Sequence, residues 1–217
     1  MNAFEFFFSF YGLVLSLSLA TLAAGLVRAL KRRRSMKMGW LTPLLAVYVA
    51  LDITTFWVGA WADFRTAPFS YGLIVLSLAI ALAYFLAATL VFPDADEEPA
   101  HLDAHFWTNR RTVLLLIILS NVLGYAASML VGWVQEGPAL AIFGTVVVAV
   151  PFLLLTIPAA FTRRRWLFAT LIGLQVIFYL ASAALLAWNP AWGSPGDDAP
   201  AVSSDASGEA RSQAPAP

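Results

Sequence analysis

Hydrophobic residues in this chain occur as six long runs that are separated by short polar segments. The runs cover about residues 6–28, 41–62, 70–92, 112–134, 138–160 and 166–188. Each contains the roughly 20 apolar residues that an α-helix needs to cross the hydrocarbon core of a bilayer. None alternates apolar and polar residues as the strands of a membrane barrel do. The pattern therefore predicts an all-α, polytopic membrane protein with a bundle of six transmembrane helices.

Basic residues predict the orientation of these helices. Of the 13 Lys and Arg residues, 11 lie at or after the ends of the first, third and fifth runs, and only Arg65 and Arg211 lie elsewhere. Because cytoplasmic loops carry an excess of Lys and Arg, those three segments are expected inside and both termini outside. The first run has no basic segment before it and exceeds the length of a signal-peptide core, so we interpret it as a retained helix.

Tryptophan residues support the predicted span boundaries. Seven of the eight lie at or near the end of a run, and Trp57 lies about one turn deeper. Indole rings concentrate where the hydrocarbon core meets the head groups, whereas a purely compositional effect would scatter them through the span centres. The six predicted spans therefore have the interfacial belt that membrane-spanning helices show.

Composition and loop length limit the function classes. The chain is 60% hydrophobic and 12% charged, and 13 basic and 13 acidic residues cancel, so a nucleic-acid partner is not expected. Cysteine is absent, which excludes a disulfide framework and a cysteine metal site. The longest internal loop, 93–111, is too short for a soluble catalytic domain, and the tail 189–217, rich in Pro, Ala, Ser and Gly, is predicted to be disordered. We therefore expect a transmembrane domain over 1–188, with no enzymatic activity and no cofactor.

Asp52 is the most informative residue because it lies near the middle of the second span. Such acids usually face the bundle interior, and no Lys or Arg lies within a span core to pair with it. Two interpretations stay open: a proton or cation relay, or a protonated acid that hydrogen-bonds between helices. The candidate polar site comprises Asp52, its helical neighbours Tyr48 and Thr55, and the mid-span amides Asn121 and Gln175.

Further polar and small residues lie at span centres. They would line one shared pocket around Asp52 or serve separate helix contacts, and the sequence leaves both open. Pro151 additionally permits a kink in the fifth span. A row of small residues along the first span favours close helix packing, within the chain or against a partner. The further residues at span centres are Ser16, Ser18, Ser120 and Pro151. The row of small residues along the first span comprises Gly12, Ser16, Ala20 and Ala24.

The two halves of the chain show a faint similarity at an offset of 95 residues. Residues 43–48 resemble residues 138–143, and Tyr84 corresponds to Tyr179. Three helices per half would give an inverted repeat, an arrangement that many transporters share. A chance match between apolar helices is the alternative.

Histidines and arginines at the predicted cytoplasmic side suggest two weaker sites. His101 and His105 lie four residues apart, as metal ligands on one helix face would, but the sequence offers no third ligand at a recognised spacing. An interfacial amphipathic helix anchored by Phe106 and Trp107 is the interpretation we prefer for this loop. Candidate contacts for anionic lipid head groups are Arg32, Arg33, Arg34, Arg163, Arg164 and Arg165.

Several short segments resemble a group of uncharacterised small bacterial inner-membrane proteins. The similarity implies a six-helix protein of the bacterial cytoplasmic membrane, and it brings no activity, ligand or catalytic residue with it. The segments are Phe4-Glu5-Phe6, residues 39–43 together with Asp52, residues 90–94, and the approach to the fourth span from Leu102-Asp103 to Arg110-Arg111.

Three functions are compatible with these features. The one we prefer from the sequence is a non-enzymatic packing, scaffold or accessory component of the membrane, whose partners are lipids and possible further copies or other membrane proteins, and the other two are alternatives. The second is a small proton-coupled transporter or channel centred on Asp52. The third is an interfacial enzyme acting on lipid through His101, Asp103 and His105.

Overall fold

The computed structural model describes residues 3–32, 39–64, 70–93 and 102–188. This part of the chain is all-helical, with no strand, and each of its six helices is long and apolar enough to span a membrane. The prediction of six helices that are long and apolar enough to cross a membrane is thereby confirmed, whereas their sidedness stays a prediction. The predicted disordered tail, 189–217, lies outside the described residues. The helices are α1 (Ala3–Arg32), α2 (Leu41–Phe64), α3 (Tyr71–Val91), α4 (Leu102–Gln135), α5 (Pro138–Phe161) and α6 (Arg165–Trp188).

Local sequence explains two helix starts. The Ser70 side chain accepts a hydrogen bond from the Leu73 backbone N–H at 3.3 Å and so caps the first turn of α3. Gly137, between α4 and α5, has φ 91°, in the left-handed region that favours glycine. Pro138 follows as the first residue of α5, where its missing N–H costs nothing. The α4–α5 connection is therefore a tight turn that makes these helices antiparallel neighbours.

The packing centres on α3 and α4. These two helices contact each other, α4 also contacts α2 and α5, and α1 contacts α2 and α3. Small buried residues of α3, such as Ala81, Ala87 and Ala88, permit close approach of neighbouring helices. Residues 1–180 form one compact unit, and the last turns of α6 belong to a second unit, 181–217. The site described below lies within the first unit.

Helix α4 begins ten residues before the predicted fourth span. Residues 102–111, which we expected to form an amphipathic helix lying at the interface, are continuous with the fourth span. No glycine or proline interrupts this stretch, and Phe106 is buried with its ring 5.1 Å from that of Phe168. The prediction that Phe106 anchors this helix at the interface was therefore wrong, because its ring packs inside the protein.

Candidate intramembrane site at Asp52

The Asp52 carboxylate lies at the centre of a hydrogen-bonded cluster. Only 1% of the residue is exposed. The Tyr179 hydroxyl donates to Oδ1 at 2.5 Å, the Tyr84 hydroxyl donates to Oδ2 at 2.9 Å, and the Asn121 amide donates to Oδ2 at 2.9 Å. Asp52, Tyr179, Tyr84 and Asn121 belong to α2, α6, α3 and α4, respectively. One side chain therefore connects four helices through three hydrogen bonds.

Helical spacing places each donor on a buried face of its helix. Tyr179 follows Phe168, Ile172 and Gln175 at intervals of three or four residues, and all four are buried. Residues three or four apart share a helix face, so packing of the apolar members carries the polar ones into the interior. Tyr84 lies in the same way four residues after the fully buried Ile80. The apolar stripes of α3 and α6 therefore aim both hydroxyls at α2.

A second layer surrounds the cluster. The Tyr48 ring stacks on the Tyr179 ring with centroids 6.3 Å apart, and its hydroxyl lies 3.3 Å from the Thr156 hydroxyl of α5. The Phe56 ring lies 5.2 Å from the Tyr84 ring. These contacts hold the two tyrosines that bind Asp52 and extend the cluster to α5.

No cation compensates the Asp52 carboxylate among the described residues that contact it. Its three donors are neutral side chains, two phenols and one amide. Such donors stabilise a carboxylate, yet they leave its charge unbalanced in a low-dielectric interior. The arrangement therefore suits a group that can gain a proton or another cation.

Gln175 lies beside Tyr179, one of the three donors to Asp52, and carries an acceptor atom without a partner. It lies one turn before Tyr179 on α6, and its side chain reaches the Tyr179 hydroxyl. Its Oε1 atom is buried and has no hydrogen-bond partner. Buried acceptors are rarely left unpaired, because each costs about 1–3 kcal/mol. Oε1 could accept from the Tyr179 hydroxyl only after the Gln175 amide has turned over, because in the structure the amide N–H group faces that hydroxyl.

The structure brings together most of the predicted polar site. Asp52 and Asn121 are in direct contact, and Tyr48 and Gln175 join them through Tyr179. Thr55 is separated from them, because its side chain is exposed on the outside of α2. The structure therefore brings together four of the five residues that the sequence analysis placed in this site.

The hydroxyls of the other central polar residues donate to backbone carbonyls and not to Asp52. The Ser120 hydroxyl donates to the Ile80 carbonyl at 3.4 Å. On α1, Ser16 and Ser18 donate to carbonyls of their own helix, at 2.7 and 3.1 Å. Pro151 is exposed. These residues serve separate contacts, which was the alternative to a single shared pocket.

Sequence reasoning missed Tyr84, Tyr179 and Thr156 as members of the site. A signal was present, since tyrosine normally prefers the membrane interface. Tyr84 and Tyr179 lie well inside their helices, as do Tyr48 and Tyr125. A phenol at such depth needs a hydrogen-bond partner, and an acid in a neighbouring span is an obvious one.

A polar contact lies farther along the bundle, toward the end of α2. The Ser128 hydroxyl of α4 donates to the Asp63 carboxylate at 2.5 Å. Tyr125, on α4 between Asn121 and Ser128, is partly buried and close enough to interact electrostatically with Asp52. Polar groups therefore continue from the cluster toward that end of the helices.

The structure describes only part of the two weaker candidate sites. His101 lies outside the described residues, and His105 Nε2 lies 3.2 Å from the Leu90 carbonyl oxygen, which positions the start of α4 on the end of α3. The described residues contain no group of three metal ligands. Arg163 and Arg164 are exposed between α5 and α6, and Arg165 is exposed as the first residue of α6. Arg32 is the last residue of α1, whereas Arg33 and Arg34 lie outside the described residues.

Comparison with known proteins found no match to any protein family model, curated protein or solved structure. The function is therefore inferred from the geometry of the Asp52 cluster.

Proposed function

We propose that this chain is a small proton-coupled transporter or channel of the bacterial inner membrane, with Asp52 as its proton-binding site. The observation that carries the proposal is a buried carboxylate held only by neutral donors, with an unpaired acceptor beside one of them. Intramembrane acids of this kind commonly mark proton or ion pathways. The distribution of Lys and Arg supports placing the basic segments in the cytoplasm.

Protonation of Asp52 changes its hydrogen bonds in a defined way. A proton on Oδ1 makes that atom a donor, so the Tyr179 hydroxyl oxygen becomes the acceptor and the Tyr179 proton must turn elsewhere. Gln175 Oε1 is the nearby acceptor without a partner, and rotation of its amide presents it. Loss of the proton restores the original bonds. The cluster can thus load and release one proton while every hydroxyl keeps a partner.

The test is proton flux in proteoliposomes that contain a pH-sensitive dye, driven by an imposed potassium potential. We expect the unmodified protein to carry flux above that of empty vesicles. Asp52→Asn should reduce this flux to the background, because the amide keeps an acceptor oxygen for the tyrosines but cannot take up a proton at neutral pH. Thr55→Ala, an exposed change one turn away, is the matched control and should retain full flux.

Folding of Asp52→Asn is checked by size-exclusion chromatography and helix content in the same detergent. Wild-type flux in a folded Asp52→Asn protein would refute the role of Asp52. Absence of flux from the unmodified protein under both a pH gradient and a potential would refute the proposal as a whole.

An accessory or scaffold role is the second candidate, and α1 favours it. Gly12 of the small-residue row faces Trp57, and a Cβ atom at residue 12 would lie 3.5 Å from the nearest atom of that ring. Ser16, Ala20 and Ala24 are instead exposed along one face of α1. Small residues in such a row let a second helix approach closely. A partner membrane protein would therefore dock on this face.

Mild-detergent purification followed by mass spectrometry tests this candidate. We expect a stoichiometric protein that is retained by the unmodified chain and lost after Ala20→Leu, because the larger side chain blocks close helix approach. Ala79→Leu, at an exposed position of α3, is the control and should leave retention unchanged. Equal retention by both variants, or no stoichiometric partner at all, would argue against docking on α1.

A further inference from the structure

Arg110 is a buried cation with no carboxylate partner among the side chains that the structure describes. Only 6% of it is exposed, although it lies near the start of α4. Its Nη1 donates to the Ala159 carbonyl at 3.3 Å, and its guanidinium lies 4.2 Å from the Trp107 ring centroid. Its Nε atom is buried and has no hydrogen-bond partner. A charge in this position is costly unless an anion pairs with it.

Further arginines surround this position. Arg163 is close enough to repel Arg110 electrostatically. Arg111, next along α4, lies with its guanidinium 4.6 Å from the Phe161 ring centroid, at the end of α5. Arg164 and Arg165 complete the exposed link into α6. We call these five residues the arginine corner: Arg110, Arg111, Arg163, Arg164 and Arg165.

The first turn of α6 adds to the positive potential. The helix begins at Arg165, so the backbone N–H groups of its first turn point toward the arginine corner. A helix N-terminus carries about half a positive charge, and it binds phosphate where cationic side chains accompany it. The buried Arg110 guanidinium is therefore surrounded by other positive groups, namely the neighbouring arginines and the α6 N-terminus. These groups repel one another, and a bound anion would reduce the repulsion.

We propose that the arginine corner binds the phosphate of an anionic phospholipid head group. Guanidinium groups suit phosphate because their planar N–H donors match its oxygens. The corner lies where α4, α5 and α6 reach the ends of their apolar segments. Trp166 beside it is 81% exposed, and its ring lies 6.5 Å from that of Trp40, as expected at the head-group level. A lipid phosphate would lie at this depth, with its acyl chains along α5 and α6.

The test is native mass spectrometry of the purified full chain, titrated with phosphatidylglycerol or with phosphatidylcholine. We expect phosphatidylglycerol to bind tighter. Arg163→Ala and Arg164→Ala should each weaken phosphatidylglycerol binding about fivefold, which corresponds to about 1 kcal/mol for one arginine near anionic lipid. Arg110→Lys should weaken it as well, because an ammonium group loses the planar contact while the charge is kept.

The control is Arg28→Ala, at an exposed basic position at the end of α1, which should leave binding unchanged. Equal binding of both lipids, or an equal loss in the Arg28 variant, would overturn the proposal. Inorganic phosphate at millimolar concentration should not displace the lipid, and displacement by it would overturn the lipid assignment in favour of a soluble anion. Arg163 and Arg164 are exposed, so their variants should fold even if Arg110→Lys does not.

Discussion

Asp52→Ala is expected to lower the free energy of unfolding by about 2–5 kcal/mol. The change removes the acceptor of three hydrogen bonds, and bonds between transmembrane helices contribute about 0.6 to 1.7 kcal/mol each. It also removes the acceptor of the Tyr84 and Tyr179 hydroxyls at the junction of four helices, whereas the Asn121 amide still donates to the Ile117 carbonyl. Unfolding in mixed micelles with increasing SDS measures the loss.

Other variants of the same cluster should lose less stability than Asp52→Ala. Asp52→Asn keeps one acceptor oxygen and should lose less stability than Asp52→Ala. Tyr179→Phe removes the shortest of the three bonds and should cost about 0.6–1.7 kcal/mol. Thr55→Ala on the exposed side of α2 should change stability little. Indistinguishable unfolding curves for Asp52→Ala and Thr55→Ala would show that the cluster does not hold the helices together.

Gly124→Ala is expected to destabilise the bundle by overpacking. A Cβ atom at residue 124 would lie 2.4 Å from Cε2 of Phe56, so the ring must move. Phe56 packs against Tyr84, which binds Asp52, and the displacement would therefore reach the cluster. Extra carbon atoms in a packed core destabilise the folded state by about 1–3 kcal/mol. The higher helix propensity of alanine offsets up to about 1 kcal/mol of this loss. The same SDS titration measures the net loss.

A compensating change and a control separate packing from backbone effects. Gly124→Ala combined with Phe56→Leu should recover part of the stability, because the smaller side chain leaves the space that the new Cβ needs. Gly144→Ala on α5 meets no atom within 4 Å, so it should be neutral or stabilise slightly. If Gly124→Ala behaves like Gly144→Ala, α2 and α4 are not as close at this point as the structure has them.

The similarity between the two halves, at an offset of 95 residues, matches the structure at one pair of positions and not at others. It pairs Tyr84 with Tyr179, and both hydroxyls bind Asp52, one to each carboxylate oxygen. The same offset pairs Asp52 with Val147, which is 54% exposed, and the buried Tyr48 with the exposed Phe143. Each half of the chain therefore contributes one tyrosine of the matching pair to the site, whereas the acid occurs only in the first half.

The sequence by itself determined the class of protein and the central acid. Six apolar runs of membrane-spanning length require helices, because a bilayer offers no partner for unpaired backbone groups. An acid in the middle of such a run must face protein, so Asp52 was identifiable without coordinates. Asn121 and Gln175 followed from the same reasoning about polar side chains at span centres.

Only the tertiary structure decided which groups meet Asp52. Helix rotation and order in the bundle are set by side-chain packing, and apolar runs with polar groups on more than one face leave several rotations open. Tyr84 and Tyr179 entered the site because Ile80 and Phe168 pack inward on the same faces, whereas Thr55 was left outside. The arginine corner likewise joins Arg110 to Arg163, which lies 53 positions later in the α5–α6 link, and only the packed ends of three helices bring them together.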